Sequence, residues 1–393
     1  MIKTVKKIIS YIMVCVLFLS MCIPCEAAQT STATASDANA TTGFPQITST
    51  SAIIMDAQSG QIIYEKNSHT RQYPASITKI MTAYLAIKNG DLNSTITMSD
   101  AAVWGIDRNS SHIALDVGEE ISMSDALYAV MLMSANEAAW AIAEQVSGSL
   151  ENFVQLMNDT AQSLGCKDTH FTNANGLHDP DHYTTAYDMA LITKEALTSK
   201  TFREYASETY HEIPPTNMNN ETRYLTQGNR MMLSNSEYYY PACQGGKTGY
   251  TDDAGGTLVV WAEKNDMQLI CVTMGAPDNA TNYTDSIALF NYVFNNYSNT
   301  TLLSDYEFDA EAATTAQNFL NDYYGENLGT MHLSVDNNQP FIFANNADRT
   351  KLQMNFVPSA DRLDEGYIGT LEVSYEGTTC LTLPVSYSGY VNS

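Results

Sequence analysis

Basic side chains are scarce in this chain of 393 residues. It carries 19 Lys and Arg against 44 Asp and Glu, which gives a formal net charge of −25 at pH 7. A surface this acidic repels phosphate backbones and anionic lipid. The charge balance therefore argues against a nucleic-acid partner and against polybasic docking on a membrane, and it leaves the fold open.

Closely spaced cysteines are also lacking in most of the chain. Three of the seven cysteines lie within the first 25 residues, and the remaining Cys166, Cys243, Cys271 and Cys380 are far apart and form no C-x-x-C pair. Four cysteines allow three pairings, and the sequence does not choose among them. Cys271 lies in an apolar run, which favours a plain buried thiol. The set predicts neither a disulfide framework nor a zinc site.

A long apolar run occurs at the N-terminus. Three lysines precede the run at residues 8–23, and Ala27 and Ala28 follow it. This layout predicts a secretory signal peptide over residues 1–28, and hence a protein that acts outside the cytoplasm. An uncleaved membrane anchor is the alternative, although the run is short for a span of about 20 residues.

The rest of the chain divides by composition and periodicity. Residues 29–47 are small and polar and predict a flexible linker. Residues 48–302 predict strands early and late, with helices between them. The predicted strands of this part are 51–55, 61–64, 257–262 and 268–275, and its predicted helices are 74–90, 124–133, 137–146, 150–164 and 187–197. An early hairpin and a late meander predict an α/β fold of the α+β kind, with helices packed on one antiparallel sheet.

Beyond residue 303 the pattern changes to short apolar segments between Gly, Asn and Asp. Strands are predicted at 331–335, 351–356, 368–375 and 379–386. They predict a small C-terminal all-β domain over residues 303–393. Residues 389–393 have no amphipathic or apolar character, so membrane anchoring through this end is not expected.

Ser76 and Lys79 stand at the start of the predicted helix 74–90. Positions three apart lie on the same face of a helix, so the lysine amine can reach the serine hydroxyl. A lysine in a largely apolar helix loses solvation, which lowers its pKa and makes a neutral amine base accessible. A surface lysine that merely shares a turn with a serine is the simpler interpretation of this motif taken alone.

Two further motifs carry candidate site residues. Ser134 and Asn136 lie between two predicted helices, where Ser134 could relay a proton and Asn136 could hold a substrate amide; an Asn136 N-cap is the simpler interpretation. Lys247, Thr248 and Gly249 precede the late strands. There Lys247 supplies positive charge, Thr248 can bind a carboxylate, and Gly249 allows close approach of a ligand. A strand-end turn is the alternative.

In this order, S-x-x-K, S-x-N and K-T-G resemble the motifs shared by class A β-lactamases and penicillin-binding proteins. The sequence resembles the low-molecular-mass penicillin-binding proteins, which are serine D-alanyl-D-alanine carboxypeptidases. The resemblance covers about residues 48–300, and the tail around 369–373 is similar to the small β domain of that family. The stretches that carry it are 74–82, 175–177, 182–190 and 246–252. It implies a β-lactamase/transpeptidase-like domain.

The resemblance also implies a role for each matching residue. Ser76 would attack the carbonyl of the penultimate D-alanine of a peptidoglycan stem peptide, and Lys79 would be the base. Ser134 and Lys247 would move the proton to the leaving amine, and Asn136 would position the substrate. The backbone N–H groups of Ser76 and Tyr250 would form an oxyanion hole. No cofactor is implied, and β-lactams would acylate Ser76 and remain bound.

The sequence departs from the family at the position of an arginine that binds the substrate carboxylate. Asn282 occupies that place by ungapped counting, and Arg230 or Thr248 are the candidates to compensate. Many members also end in a membrane-anchoring helix, which is not predicted here.

Three alternatives stay open. A β-lactamase would need a glutamate in an E-x-x-L-N loop, and no such sequence lies between Asn136 and Lys247. A non-catalytic module that binds wall peptides would keep the fold without the chemistry. The stretch 178–182 holds two histidines and two aspartates and could be a metal site, although it contains a proline and is not a helix pattern.

Overall fold

The computed structural model describes residues 43–300, 307–325, 332–335 and 340–388. The predicted signal peptide and the first part of the predicted linker lie outside these residues. Within them, the strands are β1 (Ser51–Asp56), β2 (Ile62–Lys66), β3 (Thr95–Thr97), β4 (Glu120–Ser122), β5 (Tyr210–Ile213), β6 (Arg223–Thr226), β7 (Cys243–Thr251), β8 (Gly255–Lys264), β9 (Met267–Ala276), β10 (Tyr297–Thr300), β11 (His332–Val335), β12 (Phe341–Ala344), β13 (Leu352–Pro358), β14 (Tyr367–Tyr375) and β15 (Thr378–Ser388). The helices are α1 (Lys79–Asn89), α2 (Asp100–Trp104), α3 (Met123–Leu132), α4 (Asn136–Ser147), α5 (Leu150–Ser163), α6 (Ala186–Ala196), α7 (Lys200–Ser207), α8 (Asn279–Asn296) and α9 (Ala310–Tyr324).

The central sheet is antiparallel, with the strand order β2-β1-β9-β8-β7. Successive side chains of a strand point to opposite faces. Val259 of β8 and Val272 of β9, which are opposite each other, join the core on one face. Their neighbours Leu258 and Cys271 join a second core on the other face. Burial on both faces explains the continuous apolar runs, and the predicted antiparallel sheet with packed helices is confirmed.

Helix α1 lies in the middle of the first core. Its residues from Lys79 to Ala86 are all buried, and α3, α4, α5, α6 and α7 pack around it. The helix predicted from Pro74 to Gly90 differs in its first turn, because Ala75–Thr78 is a 3-10 turn and the α-helix begins only at Lys79. This tighter turn carries Ser76.

Helix α8 covers the opposite face of the sheet and was not predicted. Tyr283, Leu289 and Phe290 of this helix are buried in the second core. Phe44, which lies in the segment predicted to be a linker, is also buried there and packs on the Tyr64 ring at 4.8 Å between ring centroids. Packed structure therefore begins a few residues before the predicted start at residue 48.

The C-terminal strands form their own antiparallel sheet, in the order β11-β15-β14-β13. All four strands predicted in this part are confirmed. A third core lies against the sheet and includes Ala316 and Leu320 of α9, a helix that was not predicted in a region expected to be all-β. The amide of Gln61, from the hairpin β1–β2, donates to the carbonyl of Ile342 at 2.6 Å and accepts from its N–H at 2.7 Å.

Cys166, Cys243, Cys271 and Cys380 are all unpaired in the described part of the chain. Cys271 is buried in the second core, as its apolar surroundings predict. Among the described residues, no helix is both long and apolar enough to cross a membrane.

Candidate active site

Ser76 lies in the 3-10 turn Ala75–Thr78, directly before α1. Ala75 has a φ of 50°, a left-handed conformation that is costly for a residue with a side chain and that often occurs at functional sites. Gly176 packs on the same turn, because a Cβ on this glycine would overlap the carbonyl oxygen of Ala75. The turn is thus held in place by a neighbouring loop that only glycine allows to approach so closely.

The Lys79 amine is completely buried and has three oxygen partners. Its Nζ is 3.0 Å from Oγ of Ser76, 2.6 Å from Oδ1 of Asn136 and 2.5 Å from the carbonyl oxygen of Asn175. Two of these partners can only accept hydrogen bonds, whereas the serine hydroxyl can also donate. A neutral amine would therefore donate its two N–H groups to Asn136 and Asn175 and direct its lone pair at the Ser76 hydroxyl.

The surroundings of Lys79 favour that neutral form. Burial, followed by the nearby charge of Lys247, holds the pKa of the Lys79 amine well below its ordinary value of 10.5, while Glu137 acts in the opposite direction. Desolvation disfavours the charged form of an amine. The predicted burial of this lysine is found, and its role as a base stays a prediction.

Ser134 and Lys247 form a second pair beside the first. Lys247, on β7, is 2 % exposed, and its Nζ donates to Oγ of Ser134 at 3.1 Å and to the carbonyl of Thr248 at 2.9 Å. Burial lowers the pKa of the Lys247 amine to about 7. The backbone of Ser134 is in the left-handed region, with a φ of 59°. This lysine can therefore change its protonation state near neutral pH next to a serine hydroxyl.

Asn136 connects the Ser76–Lys79 pair to a further loop segment. It is the first residue of α4, Ala135 is the N-cap, and no side chain caps this helix; the interpretation of Asn136 as an N-cap is therefore wrong. Its Oδ1 accepts from Lys79, and its Nδ2 donates to Oγ of Ser110 at 2.7 Å. These contacts fix the orientation of the amide. One of the two N–H groups on Nδ2 is used in the bond to Ser110, and the other is not.

Strand β7 forms the wall next to Ser76. It is the last strand in the sheet order, so one of its edges has no strand partner in the described part of the chain. A Cβ on Gly249 would lie 2.7 Å from the backbone nitrogen of Ser76, which shows how closely the strand passes. Thr248 is half-buried and Tyr250 is exposed on the same strand.

Asn282 does not face solvent. It is 1 % exposed, and its Oδ1 accepts from Oγ1 of Thr273 at 2.9 Å, so it cannot bind a substrate carboxylate as an arginine would. Arg230 is half exposed, pairs with Glu237 at 3.2 Å and lies over the Tyr238 ring at 4.7 Å. Its guanidinium is available at the surface but already has partners.

His182 has a structural environment that conflicts with a metal site. Its Nδ1 accepts from the N–H of Thr172 at 3.0 Å, so Nε2 carries the proton and donates to Oγ1 of Thr78 at 2.9 Å. Burial lowers the pKa of the imidazole to about 3, which keeps it neutral. His178 lies apart, 3.5 Å from Asp253. Within the described residues, no three His, Cys, Asp or Glu side chains are grouped to hold a metal ion.

The structure brings the predicted residues together at one place. One hydrogen bond links the first motif to the second, and another links the second to the third. The residues brought together are Ser76, Lys79, Ser134, Asn136, Lys247, Thr248, Gly249 and Tyr250. The sequence analysis missed Ser110 and the Asn175 carbonyl. A single serine in a polar loop leaves no pattern that would reveal it. The stretch 175–177 carries part of the resemblance, but the sequence does not show that the carbonyl of Asn175 contacts Lys79.

The sequence was compared with models of known protein families. Residues 37–278 match the protein-family model described as D-alanyl-D-alanine carboxypeptidase. The chain belongs to this family. The resemblance found in the sequence is thereby confirmed.

Two D-alanyl-D-alanine carboxypeptidases illustrate the similarity. DacF of Bacillus subtilis is 35% identical over 250 residues, which is 63% of this chain and 62% of DacF. DacA of Haemophilus influenzae is 36% identical over 266 residues, 64% of this chain and 63% of DacA. The chain thus spans less than two thirds of the length of either curated relative.

Solved structures show the same fold. The Streptomyces K15 DD-transpeptidase aligns with a TM-score of 0.59 at 25% identity, covering 63% of this chain and 98% of that one. A D-alanyl-D-alanine carboxypeptidase from Mycobacterium tuberculosis H37Rv aligns with a TM-score of 0.58 at 26% identity, covering 64% and 93%. These similarities confirm the predicted fold class.

Proposed function

We propose that the chain is a serine D-Ala-D-Ala carboxypeptidase, which removes the terminal D-alanine from peptidoglycan stem peptides through an acyl-enzyme on Ser76. The observation that carries the proposal is the buried Lys79 amine, 3.0 Å from Oγ of Ser76 and with two other acceptors for its N–H groups. A neutral amine so placed is a base for the serine hydroxyl.

Acylation begins when Oγ of Ser76 forms a bond to the carbonyl carbon of the penultimate D-alanine and its proton moves to Lys79. The oxyanion accepts from the backbone N–H groups of Ser76 and Tyr250, a stabilisation worth several kcal/mol in such sites, on the order of 3. The C–N bond then breaks. The leaving amine takes a proton relayed from Lys79 through Ser134 and Lys247, and D-alanine departs.

Deacylation uses one water molecule. The water oxygen bonds to the ester carbon while its proton passes to Lys79, and the C–O bond to Ser76 then breaks as Oγ recovers a proton. A β-lactam carries its leaving amine within the same molecule, so the amine stays in the site after ring opening. The proposal therefore includes long-lived acylation of Ser76 by β-lactams.

Recognition of the substrate relies on β7 and Asn136. Asn136 holds a substrate amide with the N–H that Ser110 does not take. Thr248 binds the terminal carboxylate near the positive charge of Lys247, and Gly249 lets the peptide approach. Arg230 is a second candidate for the carboxylate, since Asn282 is buried.

We further propose that the protein acts in the bacterial cell wall, after secretion, without nucleic acid or a cofactor. The predicted domain limits, 48–302 for the peptidase and 303–393 for the C-terminal part, belong to the same proposal. They rest on the separate third core of the C-terminal strands.

The reaction is tested by measuring the D-alanine released from a stem pentapeptide with a coupled enzyme assay. The wild-type protein is expected to release one D-alanine per peptide, and S76A is expected to lose the activity while keeping its circular dichroism spectrum. Equal release by S76A and wild type would contradict the mechanism. Absence of release from the wild type would favour a non-catalytic binding module.

A further inference from the structure

Three hydrogen bonds join a loop segment to the start of α4. The Ser110–Ile113 segment is held by the neighbouring residues Asn136 and Glu137. The N–H of Asn136 donates to the carbonyl of Ser111 at 2.9 Å, its Nδ2 donates to Oγ of Ser110 at 2.7 Å, and the N–H of Ile113 donates to Oε1 of Glu137 at 2.8 Å. The segment therefore depends on Glu137 at one end and on Asn136 at the other.

Glu137 is a buried carboxylate that the proposed reaction does not use. Its side chain is fully buried, and its second oxygen, Oε2, has no hydrogen-bond partner. Burial of a carboxylate is costly unless an opposite charge or donors compensate it. The next residue towards the N-terminus is Asn136, whose Oδ1 is 2.6 Å from the Lys79 amine. The carboxylate therefore lies one residue from the group that contacts the proposed base.

The charged and titratable neighbours of the Lys79 amine come from three elements of the described chain. They are Lys247 on β7, Glu137 on α4 and the imidazole of His182, which lies in the loop beside Thr78. Lys247 lowers the pKa of the Lys79 amine and Glu137 raises it.

The loop that packs on Glu137 contributes two more such side chains. The Arg108 guanidinium lies over the Trp104 ring at 5.5 Å, and the Nε2 of His112 is 3.1 Å from the carbonyl of Arg108. Nη1 of Arg108 is buried without a hydrogen-bond partner. Neither Arg108 nor His112 forms an ion pair with Glu137 within the described part of the chain.

We propose that Glu137 is a positioning residue for acylation: its buried carboxylate holds the Ser110–Ile113 segment on Asn136 and places a negative charge one residue from the amide that contacts the Lys79 amine. Two effects follow. Through the hydrogen bond to Ile113, it keeps Ser110 in position to orient the Asn136 amide. Through its charge, it raises the pH at which Lys79 becomes a neutral base, against the larger effects of burial and of Lys247. The inference rests on the proposed roles of Ser76 and Lys79.

The test is the pH dependence of acylation by benzylpenicillin, measured as the second-order rate constant from intact mass between pH 4 and pH 9. This constant reports the ionisation of the free enzyme. In the plot of this rate constant against pH, the acidic limb is the rise that occurs as Lys79 loses its proton. E137Q keeps an acceptor for Ile113 but removes the negative charge that raises the pKa of Lys79. The acidic limb of E137Q is therefore expected to move to lower pH by about one unit. E137D keeps the charge but shortens the side chain, so the limb is expected to stay while the rate constant falls about tenfold.

The control is E144Q. Glu144 lies on the same helix, two turns further on, and accepts hydrogen bonds from Ser99 and Trp140. This variant is expected to leave the acidic limb in place, because the carboxylate it removes is remote from Lys79.

An unchanged limb in folded E137Q, or a limb that E144Q moves equally, would overturn the charge role. Full acylation rate in E137D would overturn the positioning role, and this result can be read even if E137Q does not fold. Failure of the wild type to form a Ser76 adduct would instead reject the proposed function.

Discussion

Replacement of Lys247 by methionine provides a stability test of the buried-lysine geometry. Methionine is unbranched and of similar length, so K247M keeps much of the packing but removes the ionisable group. The pKa of the Lys247 amine is lowered from 10.5 to about 7 because the group is buried. In the unfolded chain the amine keeps its ordinary pKa, so between pH 7 and pH 10.5 the unfolded chain binds more protons.

The sign follows from that difference in proton binding. Stability rises with pH wherever the unfolded state holds more protons. The stability of the wild-type protein is therefore expected to rise between pH 7 and pH 10.5 relative to that of K247M. At about 1.4 kcal/mol per unit, the buried lysine destabilises the folded state by about 4 kcal/mol at pH 7 and by about 2 kcal/mol at pH 9.

Urea unfolding of both proteins at pH 7 and pH 9 measures this effect. The hydrogen bonds to Ser134 and Thr248 are lost in K247M at both pH values and largely cancel in the comparison. The free energy of unfolding of K247M, minus that of the wild type, is expected to fall by about 2 kcal/mol from pH 7 to pH 9. K200M, which removes an exposed lysine, is the control and is expected to give the same difference at both pH values. A difference for K247M that does not change with pH would refute the reasoning.

Two substitutions in the candidate site have expected outcomes of their own. G249A would place a methyl group 2.7 Å from the backbone nitrogen of Ser76. It is expected to lower the rate of acylation by benzylpenicillin about 100-fold or more, with little change in the circular dichroism spectrum. Acylation at nearly the wild-type rate would argue against the close approach of β7 to Ser76. N136D would place a carboxylate against the Lys79 amine, which favours its charged form. The acidic limb of the plot of acylation rate against pH is therefore expected to move to higher pH by about one unit. A shift to lower pH would contradict the contact between Asn136 and Lys79.

The central sheet and the helices around α1 could be predicted because their side-chain patterns are strong. Strands β8 and β9 are continuous apolar runs, and α1 is apolar on most of its surface. The two missed helices have weaker patterns. Helix α8 mixes its buried aromatic residues with Asn and Thr, which are poor helix formers. In α9, the fully buried positions are limited to Ala316 and Leu320.

The motif residues of the site could be named from the sequence, but their geometry could not. Ser76, Lys79, Ser134 and Lys247 are recognisable because residue type and spacing carry the signal. The conformation of Ala75, which sets the 3-10 turn, is imposed by the surrounding structure. Likewise, the partners of Asn136 and Lys79 include a loop serine and a backbone carbonyl, which become neighbours only after the chain has folded.

The most direct test of the account is the intact mass of the purified protein after addition of benzylpenicillin, followed over time, with the modified residue identified by peptide mapping. A lasting adduct of one antibiotic per protein on Ser76 is predicted, and S76A is predicted to form none. A short-lived adduct with consumption of the antibiotic would indicate a β-lactamase, and an adduct on another residue, or no adduct at all, would contradict the central claim that Lys79 activates Ser76.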